Sequence, residues 1–262
     1  MTNDKDFLWL NLRSLPYFRA MLRTVEAQFY QEFELPAPTL DLGCGDGHFA
    51  TIAFHRKLEV GLDPWTGPIH QAAKGNGYRF LVQADGGRIP FPDEHFSSAI
   101  SNSVLEHIPQ VQIVLTDLRR VLKPGAQFMF CVPNPRYLTE LSIPAMLGKI
   151  GLAGAGRTYT NWFRRMSRVE HAEWPDVWTN WLEGAGFKLE KWWHYFSPQA
   201  MRVLEWGHYF GAPTLLPHAI SKRWIIAPWR WNLFLTERYV RRYAIAVPDP
   251  QGTFTFYIAR SF

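Results

Sequence analysis

The residues with the clearest capacity for chemistry lie in a glycine-rich turn near position 40. A predicted strand ends and a predicted helix begins within Leu40-Asp41-Leu42-Gly43-Cys44-Gly45-Asp46-Gly47. Glycines at such a junction turn the chain tightly and let the backbone approach a ligand closely. The turn alone is not specific, because dinucleotide-binding enzymes use a similar one to place a pyrophosphate at a helix N-terminus.

Two details of this turn favour a cationic ligand over a pyrophosphate. Asp41 precedes the glycines, and their spacing is Gly43-x-Gly45-x-Gly47 rather than G-x-G-x-x-G. A carboxylate repels a pyrophosphate but attracts the amino group and the sulfonium of S-adenosylmethionine. The turn therefore indicates a site for a positively charged nucleoside derivative.

Two further carboxylates follow the next two predicted strands. Asp63, in Gly61-Leu62-Asp63-Pro64, lies about 20 residues beyond the turn, where a carboxylate can accept both hydroxyls of a ribose. Asp85, in Ala84-Asp85-Gly86, would lie near an adenine amino group. The alternatives are a turn or helix-capping role for Asp63 and a simple Asp-Gly turn for Asp85.

The catalytic residue is harder to assign, because transfer of a methyl group from a sulfonium needs little more than an aligned nucleophile and, for a weak acid, a general base. His107 follows the fourth predicted strand, and a neutral imidazole there could take a proton. His171 precedes a predicted helix at Pro175 and could enter the pocket. The favoured alternative is structural: His107 braces the next helix together with Glu106, and His171 lies at the surface or caps a helix.

The elements that position these residues alternate between strands and helices. Short apolar runs predict strands, and apolar residues at three- and four-residue spacing predict helices. The strands are predicted at 39–42, 58–63, 78–83, 98–102 and 127–132, and helices at 17–33, 48–57, 68–74 and 111–122. This alternation predicts an α/β fold with a doubly wound parallel sheet.

The second half of the chain is aromatic and less regular. After Pro133 the pattern breaks for roughly 40 residues, a length typical of a functional insertion that could close over the site. A helix near 177–185, a strand at 187–196, helices within 198–240 and a last strand at 253–259 are predicted to follow. Most of the 12 Trp residues come after residue 160, so we expect this half to determine substrate specificity.

The motifs together resemble those of the class I S-adenosylmethionine-dependent methyltransferases, in the subgroup related to the ubiquinone and menaquinone C-methyltransferases (methyltransferase type 11). The resemblance covers about residues 39–135 and implies a Rossmann-like, seven-stranded doubly wound sheet with an antiparallel last strand and helical insertions. The matching segments, in order, are Asp41 to Gly47, Gly61 to Pro64, Ala84 to Asp85 with Ile89-Pro90-Phe91-Pro92-Asp93, Val104-Leu105-Glu106-His107-Ile108, and Arg120-Val121-Leu122-Lys123-Pro124-Gly125.

The resemblance also implies which residues hold S-adenosylmethionine. They lie at the ends of the first four strands: Asp41, Gly43, Cys44 and Gly45 at the turn, Asp63 and Pro64 at the ribose, Asp85 and Gly86 at the adenine, and Asn102 near the methionine part. The sequence departs from the family at Ser97, where an Asp usually follows the residue equivalent to Phe96. That Asp shapes the start of the fourth strand, so the change concerns local packing.

The predicted activity is methyl transfer to a small, hydrophobic acceptor at a hydroxyl or a carbon. The absence of an Asn-Pro-Pro-Tyr run after the fourth strand argues mildly against amino acceptors. An NAD-dependent oxidoreductase is an alternative that shares the strand and the glycine turn, but it lacks the third-glycine spacing and a Tyr-x-x-x-Lys pair. A non-catalytic relative that keeps the cofactor site is the other alternative.

Length and composition predict one domain over 1–262, with 47% hydrophobic residues to form its core. Its predicted parts are a helical lid at 1–38, a cofactor-binding core at 39–133, an aromatic insertion at 134–174, and a C-terminal half at 175–262 that contains a helical insertion at 198–242. Cys44 and Cys131 lack Cys or His neighbours at metal-ligand spacing, so no metal site is predicted.

Charge and hydropathy bear on partners and location. The polar N-terminus and the lack of an apolar run of about 18 residues predict a cytoplasmic protein. The formal net charge of +5 is dispersed and does not favour nucleic acid. Residues 222–242, however, interleave basic with aromatic side chains. We expect either a helix packed on the sheet or peripheral membrane contact that reaches a lipid-like acceptor. The sequence does not predict the oligomeric state.

Overall fold

Seven strands form a mixed sheet in the computed structural model, which describes residues 5–221 and 223–262. The spatial order of the strands is β3-β2-β1-β4-β5-β7-β6. The neighbours from β3 to β5 pair in parallel, and β7 pairs antiparallel with β5. The strands are β1 (Thr39–Leu42), β2 (Leu58–Asp63), β3 (Tyr78–Gln83), β4 (Phe96–Asn102), β5 (Leu122–Pro133), β6 (Phe187–Tyr195) and β7 (Phe254–Ser261). The predicted doubly wound sheet with an antiparallel last strand is confirmed.

The strand order reverses at β1. The chain runs from β1 outward through β2 to β3, then returns to place β4 on the other side of β1. In open α/β sheets, ligands bind at the carboxyl ends of the strands beside such a reversal. We therefore expect the ligand site at the carboxyl ends of β1 and β4.

Twelve helices connect and flank the strands among the described residues. They are α1 (Phe7–Leu12), α2 (Tyr17–Tyr30), α3 (His48–Ala53), α4 (Thr66–Ala72), α5 (Val111–Val121), α6 (Arg136–Thr139), α7 (Ser142–Lys149), α8 (Ala153–Ser167), α9 (Pro175–Gly184), α10 (Pro198–Phe210), α11 (Leu215–Ser221) and α12 (Arg230–Arg241). Short 3-10 turns occur at Leu105–His107 and Ala212–Thr214.

Helix α5 shows how the sequence forms the core of the sheet. Val111, Val114, Leu115 and Leu118 recur at helical spacing, and all four are buried in the same apolar cluster as Phe130 of β5. Basic residues in the last turn interact favourably with the helix C-terminus. The helix ends at Val121, because β5 begins at the next residue.

Strands β4 and β5 are longer than predicted. They begin at Phe96 and Leu122 rather than at 98 and 127. Phe96 pairs with Leu122, and an irregularity in the register follows before Ser98 pairs with Gln127. This interruption explains why the apolar alternation marked only the later part of each strand.

The prediction that regular structure breaks after Pro133 is wrong, because helices α6, α7 and α8 occupy much of 136–167. Helix α8 contains Gly154 and Gly156, and glycine costs about 1 kcal/mol in a helix interior. Gly156 lies against α7, where an added Cβ would be 3.2 Å from the Pro144 carbonyl oxygen. Phe163 of α8 is fully buried. Tertiary packing, which local propensity does not reveal, therefore selects this helix.

The described residues divide into two compact units. One contains the sheet and comprises Phe33–Pro135, Arg168–His194 and Phe254–Phe262. The other is helical and comprises the described parts of Met1–Glu32, Arg136–Ser167 and Tyr195–Thr253. The single-domain organisation with a lid and insertions stays a prediction.

No helix within 5–221 or 223–262 is both long and apolar enough to cross a bilayer. The same residues contain no group of three or more His, Cys, Asp or Glu side chains arranged to hold a metal ion. Residues 1–4 of the predicted lid and Lys222 of the 222–242 segment lie outside the described residues.

Candidate functional site

The glycine turn after β1 adopts a conformation that its glycines make accessible. Gly43 and Gly45 have φ values of +80° and +55°, in the left-handed region. A Cβ on Gly43 would lie 2.3 Å from the Val104 side chain, so no larger residue fits there. A Cβ on Gly45 would meet no heavy atom within 4 Å. The turn is thus closely packed at Gly43 and leaves open space at Gly45.

Backbone hydrogen bonds join this turn to the end of β2. The amides of Gly43 and Cys44 both donate to the Leu62 carbonyl oxygen, at 2.8 and 2.9 Å. The Gly45 amide donates to Asp63 Oδ2 at 3.0 Å, and the Trp65 amide donates to Asp63 Oδ1 at 2.9 Å. Asp63 is buried. A carboxylate has about four acceptor positions, so these two bonds orient Asp63 and leave capacity for ligand hydroxyls.

Asp41 has a partner that sequence analysis missed. Tyr78, the first residue of β3, donates its hydroxyl to Asp41 Oδ2 at 2.6 Å, and both residues are buried. The Tyr78 ring lies against Gly61, where a Cβ would approach it to 2.9 Å. Burial, together with the Asp41 carboxylate, holds the pKa of Tyr78 well above its usual value of 10.0. Tyr78 therefore remains a hydrogen-bond donor to Asp41. This bond stabilises the negative charge of the Asp41 carboxylate beneath the turn.

Cys44 contributes its backbone rather than its thiol to the turn. The side chain is buried, and burial is the main factor that raises its pKa far above 9.0, followed by the nearby carboxylates of Asp41 and Asp63. A thiol that stays protonated is a weak nucleophile. Thiolate chemistry at Cys44 is therefore disfavoured, and because its amide already donates to Leu62, a contact of Cys44 with the cofactor stays a prediction.

Asp85 lies in a turn that also fits the simpler alternative. Its Oδ1 accepts the Gly87 amide at 2.7 Å, and the residue is exposed. Next to it, Gly86 lies against Leu42 and Val114, where a Cβ would come within 3.2 Å of both side chains. Gly86 therefore packs at the end of β1, while a contact of Asp85 with adenine stays a prediction.

Arg120 holds the loop that follows Asp85. Its guanidinium donates to the carbonyl oxygens of Ile89 and Phe91, both at 2.8 Å, and to Asp117 and Asp93. These carboxylates raise the pKa of Arg120. Two segments that the sequence comparison matched separately, 89–93 and 120–125, thus form one hydrogen-bonded unit.

The end of β4 is tied to both of its neighbouring strands. The Ser101 hydroxyl donates to the Leu42 carbonyl oxygen at 2.9 Å, and the Cys131 thiol donates to Asn102 Oδ1 at 3.0 Å. Asn102 therefore lies on the other side of the strand reversal from the glycine turn. Ser97, at the departure from the family pattern, accepts a hydrogen bond from Lys123 Nζ at 3.1 Å, a local contact at the start of the strand.

The two candidate catalytic histidines both bind backbone carbonyl oxygens. His107 Nδ1 lies 2.8 Å from the Arg168 oxygen, and His171 Nε2 lies 3.0 Å from the Ile108 oxygen. The Glu170 and His171 amides also donate to the Glu106 carbonyl oxygen. These bonds join segment 168–171 to segment 106–109, whereas the predicted alternative placed the bracing contact at the start of the next helix, α5. A catalytic role for either histidine stays a prediction.

The structure thus places most of the predicted site residues at one edge of the sheet unit. Asp41, Gly43, Gly45 and Asp63 are linked directly through the turn. The residues that sequence analysis missed are Tyr78, the Trp65 amide and Arg120 in its positioning role. No local pattern could reveal Tyr78, because it is brought to Asp41 by pairing between β2 and β3.

Comparisons with known proteins agree with this arrangement. A family model described as a methyltransferase domain matches residues 40–130. A fatty-acid O-methyltransferase of Mycolicibacterium smegmatis is 31% identical over 103 residues, 37% of this chain and 38% of that protein. A malonyl-[acyl-carrier protein] O-methyltransferase of Legionella pneumophila is 31% identical over 112 residues, 40% of this chain and 39% of that protein. The match thus spans less than half of each relative.

The fold as a whole resembles solved structures. One is a SAM-dependent methyltransferase of Thermotoga maritima, described as a possible histamine N-methyltransferase, with a TM-score of 0.54 and 15% identity. That alignment covers 92% of this chain and 89% of the other, and at this identity it bears on the fold alone. The chain therefore has the fold of the S-adenosylmethionine-dependent methyltransferases, and its residues 40–130 match a methyltransferase domain.

Proposed function

We propose that this protein transfers a methyl group from S-adenosylmethionine to a small, hydrophobic acceptor. The observation that carries the proposal is the Asp63 carboxylate, oriented by the Gly45 and Trp65 amides beside a turn with open space at Gly45. Asp63 would accept the ribose hydroxyls, Asp85 and Gly86 would lie at the adenine, and Asn102 would lie near the methionine part. When bound, S-adenosylmethionine supplies an electrophilic methyl group on a sulfonium.

An oxygen acceptor is the form of this proposal that the relatives support. Both relatives named above are O-methyltransferases whose names specify acyl substrates. The subgroup related to the ubiquinone and menaquinone C-methyltransferases stays a prediction, and carbon is the alternative acceptor atom. We infer a lipid-like or other acyl-bearing molecule whose hydroxyl or carboxyl oxygen attacks the methyl group.

We take His107 as the candidate general base, because Glu106 Oε1 lies 3.8 Å from its Nε2 and would stabilise the protonated ring. A carbonyl oxygen only accepts hydrogen bonds, so the Arg168 contact places the proton of neutral His107 on Nδ1. Nε2 then carries the lone pair that could accept a proton. His171 uses Nε2 for its backbone bond, which leaves its lone pair on Nδ1, and its ring lies edge-on to Trp181 at 5.1 Å. The bracing bond of His107 and a role as base are therefore compatible.

Calorimetry with S-adenosylmethionine and S-adenosylhomocysteine tests the cofactor site. We expect Asp63→Ala to weaken binding by more than about tenfold, since two charge-assisted hydrogen bonds to the ribose would be lost. Asp249→Ala is a matched control, because Asp249 also accepts the amide of the residue two positions later, Gln251. Unchanged affinity in a folded Asp63→Ala variant would refute the assignment of the site.

Methyl transfer itself is tested with radiolabelled S-adenosylmethionine against fatty acids, phenols, quinols and amines of similar size. We expect turnover with an oxygen acceptor that bears an apolar chain, and loss of turnover but not of cofactor binding in His107→Gln. Tight binding of S-adenosylhomocysteine with no turnover on any class would instead support the non-catalytic relative. Affinity for NADH above that for S-adenosylhomocysteine would support the oxidoreductase.

A further inference from the structure

Helix α12 exposes apolar side chains on the face that usually carries polar ones. Its inner face consists of Leu233, Glu237 and Val240, which are buried within the helical unit. Its outer face carries Trp231 and Leu235, which are 76% and 77% exposed, one turn apart, and Phe234 beside them. A surface helix of a soluble domain normally directs its apolar stripe inward and its polar residues outward.

Exposed apolar side chains recur throughout segment 206–247 of the same unit, and we call this set the 206–247 surface. Helix α11 exposes Leu216 and Ile220, at 69% and 79%, although it is only two turns long. The remaining exposed members are Trp206, Phe210, Leu215, Ile226, Trp229, Tyr239, Ile245 and Val247. A collection of this size marks an interaction surface rather than the scattered apolar residues of an ordinary exterior.

A groove at this surface is lined by rings and one cation. Trp206, Phe210, Tyr239 and Tyr243 line it together with Arg202, and its volume is about 430 Å³. Such a groove fits a hydrocarbon chain along the rings, while the Arg202 guanidinium pairs with Glu140 at 3.4 Å. The surface therefore combines flat exposed apolar groups with a concave region of the same chemistry.

The charge of the segment complements an anionic partner. Residues 206–247 contain six Lys or Arg and one acid, Glu237, so they carry a formal charge equal to the +5 of the whole chain. Glu237 is buried and binds Arg241. Arg223 and Arg238 are exposed, and the Arg242 guanidinium lies 4.7 Å from the centre of the Tyr239 ring. Cations beside aromatic rings are the combination found where a protein contacts lipid headgroups.

We propose that the 206–247 surface docks onto an anionic lipid bilayer. Trp231, Leu235 and Ile220 would enter the interface, where apolar burial drives binding, while Arg223 and Arg238 would contact lipid phosphates. The exposed Trp229 and Trp231 rings could also stack on nucleic acid bases, but the similarly exposed Leu216, Ile220 and Leu235 have no such role and fit a bilayer interface. A second copy of the chain would present the same positive charge, so the charge disfavours self-association through this face.

Sedimentation with vesicles tests the proposal without S-adenosylmethionine, so its outcome is independent of methyl transfer. Vesicles of phosphatidylcholine with and without phosphatidylglycerol are compared at roughly 0.05 M and 0.5 M salt. We expect binding only to the anionic vesicles, and weaker binding at the higher salt. Trp231→Ser/Leu235→Ser should lower the partition coefficient by more than about tenfold, and Arg238→Gln by about fivefold.

Phe80→Ser is the matched control, because Phe80 is 68% exposed but belongs to the sheet unit. Binding in this variant should equal that of the unsubstituted protein, and circular dichroism should show that all variants are folded. Three results would overturn the proposal. The first is a lack of sedimentation at low salt, and the second is tighter binding to single-stranded RNA than to the anionic vesicles. The third is a dimer that forms without vesicles and that, by light scattering, is lost in the Trp231→Ser/Leu235→Ser variant.

Discussion

Replacing Tyr78 with Phe tests whether its hydroxyl stabilises the charge of Asp41 beneath the glycine turn. The substitution leaves the ring in its packed position against Gly61 and removes only the 2.6 Å hydrogen bond to Asp41 Oδ2. A hydrogen bond to a charged group contributes about 1.5–3 kcal/mol, and a buried charge that loses a partner costs the upper part of this range. Asp41 is 3% exposed, so water cannot replace the hydroxyl.

We therefore expect Tyr78→Phe to lower the free energy of unfolding by about 3 kcal/mol. For a chain of this size, that corresponds to a decrease in Tm of about 6–12 °C. Urea denaturation followed by circular dichroism measures the free energy, and calorimetry measures the Tm. Tyr257→Phe is the control, because Tyr257 is also buried and stacks on Phe130 at 4.7 Å, but its hydroxyl has no hydrogen-bond partner among the described residues, so the substitution should change the free energy of unfolding by less than about 1 kcal/mol.

The same bond has a consequence at alkaline pH. Because the folded pKa of Tyr78 lies well above 10.0, only the unfolded chain loses this proton as the pH rises past 10. The stability contributed by Tyr78 is thus complete below pH 10 and decreases above it. The difference in the free energy of unfolding between the unsubstituted protein and Tyr78→Phe should therefore become smaller above pH 10. Equal costs for Tyr78→Phe and Tyr257→Phe at neutral pH, or a difference that widens above pH 10, would refute the role assigned to this hydroxyl.

Three further substitutions or reactions test other parts of the structure. Arg120→Lys cannot keep the forked bonds to Ile89 and Phe91, and should weaken cofactor binding about fivefold in calorimetry with little change in Tm; an unchanged Kd would contradict this. Glu205→Gln removes the charge that accepts the Ser142 amide at 2.6 Å, and should lower amide-exchange protection in α7 by about 1–2 kcal/mol. Cys44 should react with a disulfide reagent at pH 8 more than about 100-fold slower in the folded than in the urea-unfolded protein, and equal rates would show that the thiol is not buried.

The parts of the fold that depend on short stretches of sequence could be predicted. The strand, the glycine turn and Asp63 are adjacent along the chain, and each has a local pattern with a physical meaning. The parts that depend on distant contacts could not. Tyr78 reaches Asp41 through strand pairing, and Gly156 of α8 packs closely against Pro144 of α7. In both cases the deciding interaction joins residues whose separation along the chain leaves no periodic trace.

The methyl acceptor could not be predicted from the sequence for a related reason. The matched stretch, 40–130, contains the turn, Asp63, Asp85, Asn102 and His107, so identity there reports on cofactor binding and on one candidate base. It contains no residue of the helical unit. Two enzymes can share the first set of residues and differ entirely in the second, because the sulfonium is attacked by whatever nucleophile the remaining chain presents. Acceptor specificity should therefore change when residues outside 40–130 are exchanged with those of an O-methyltransferase relative. The affinity for S-adenosylmethionine should stay equal to that of the unsubstituted protein.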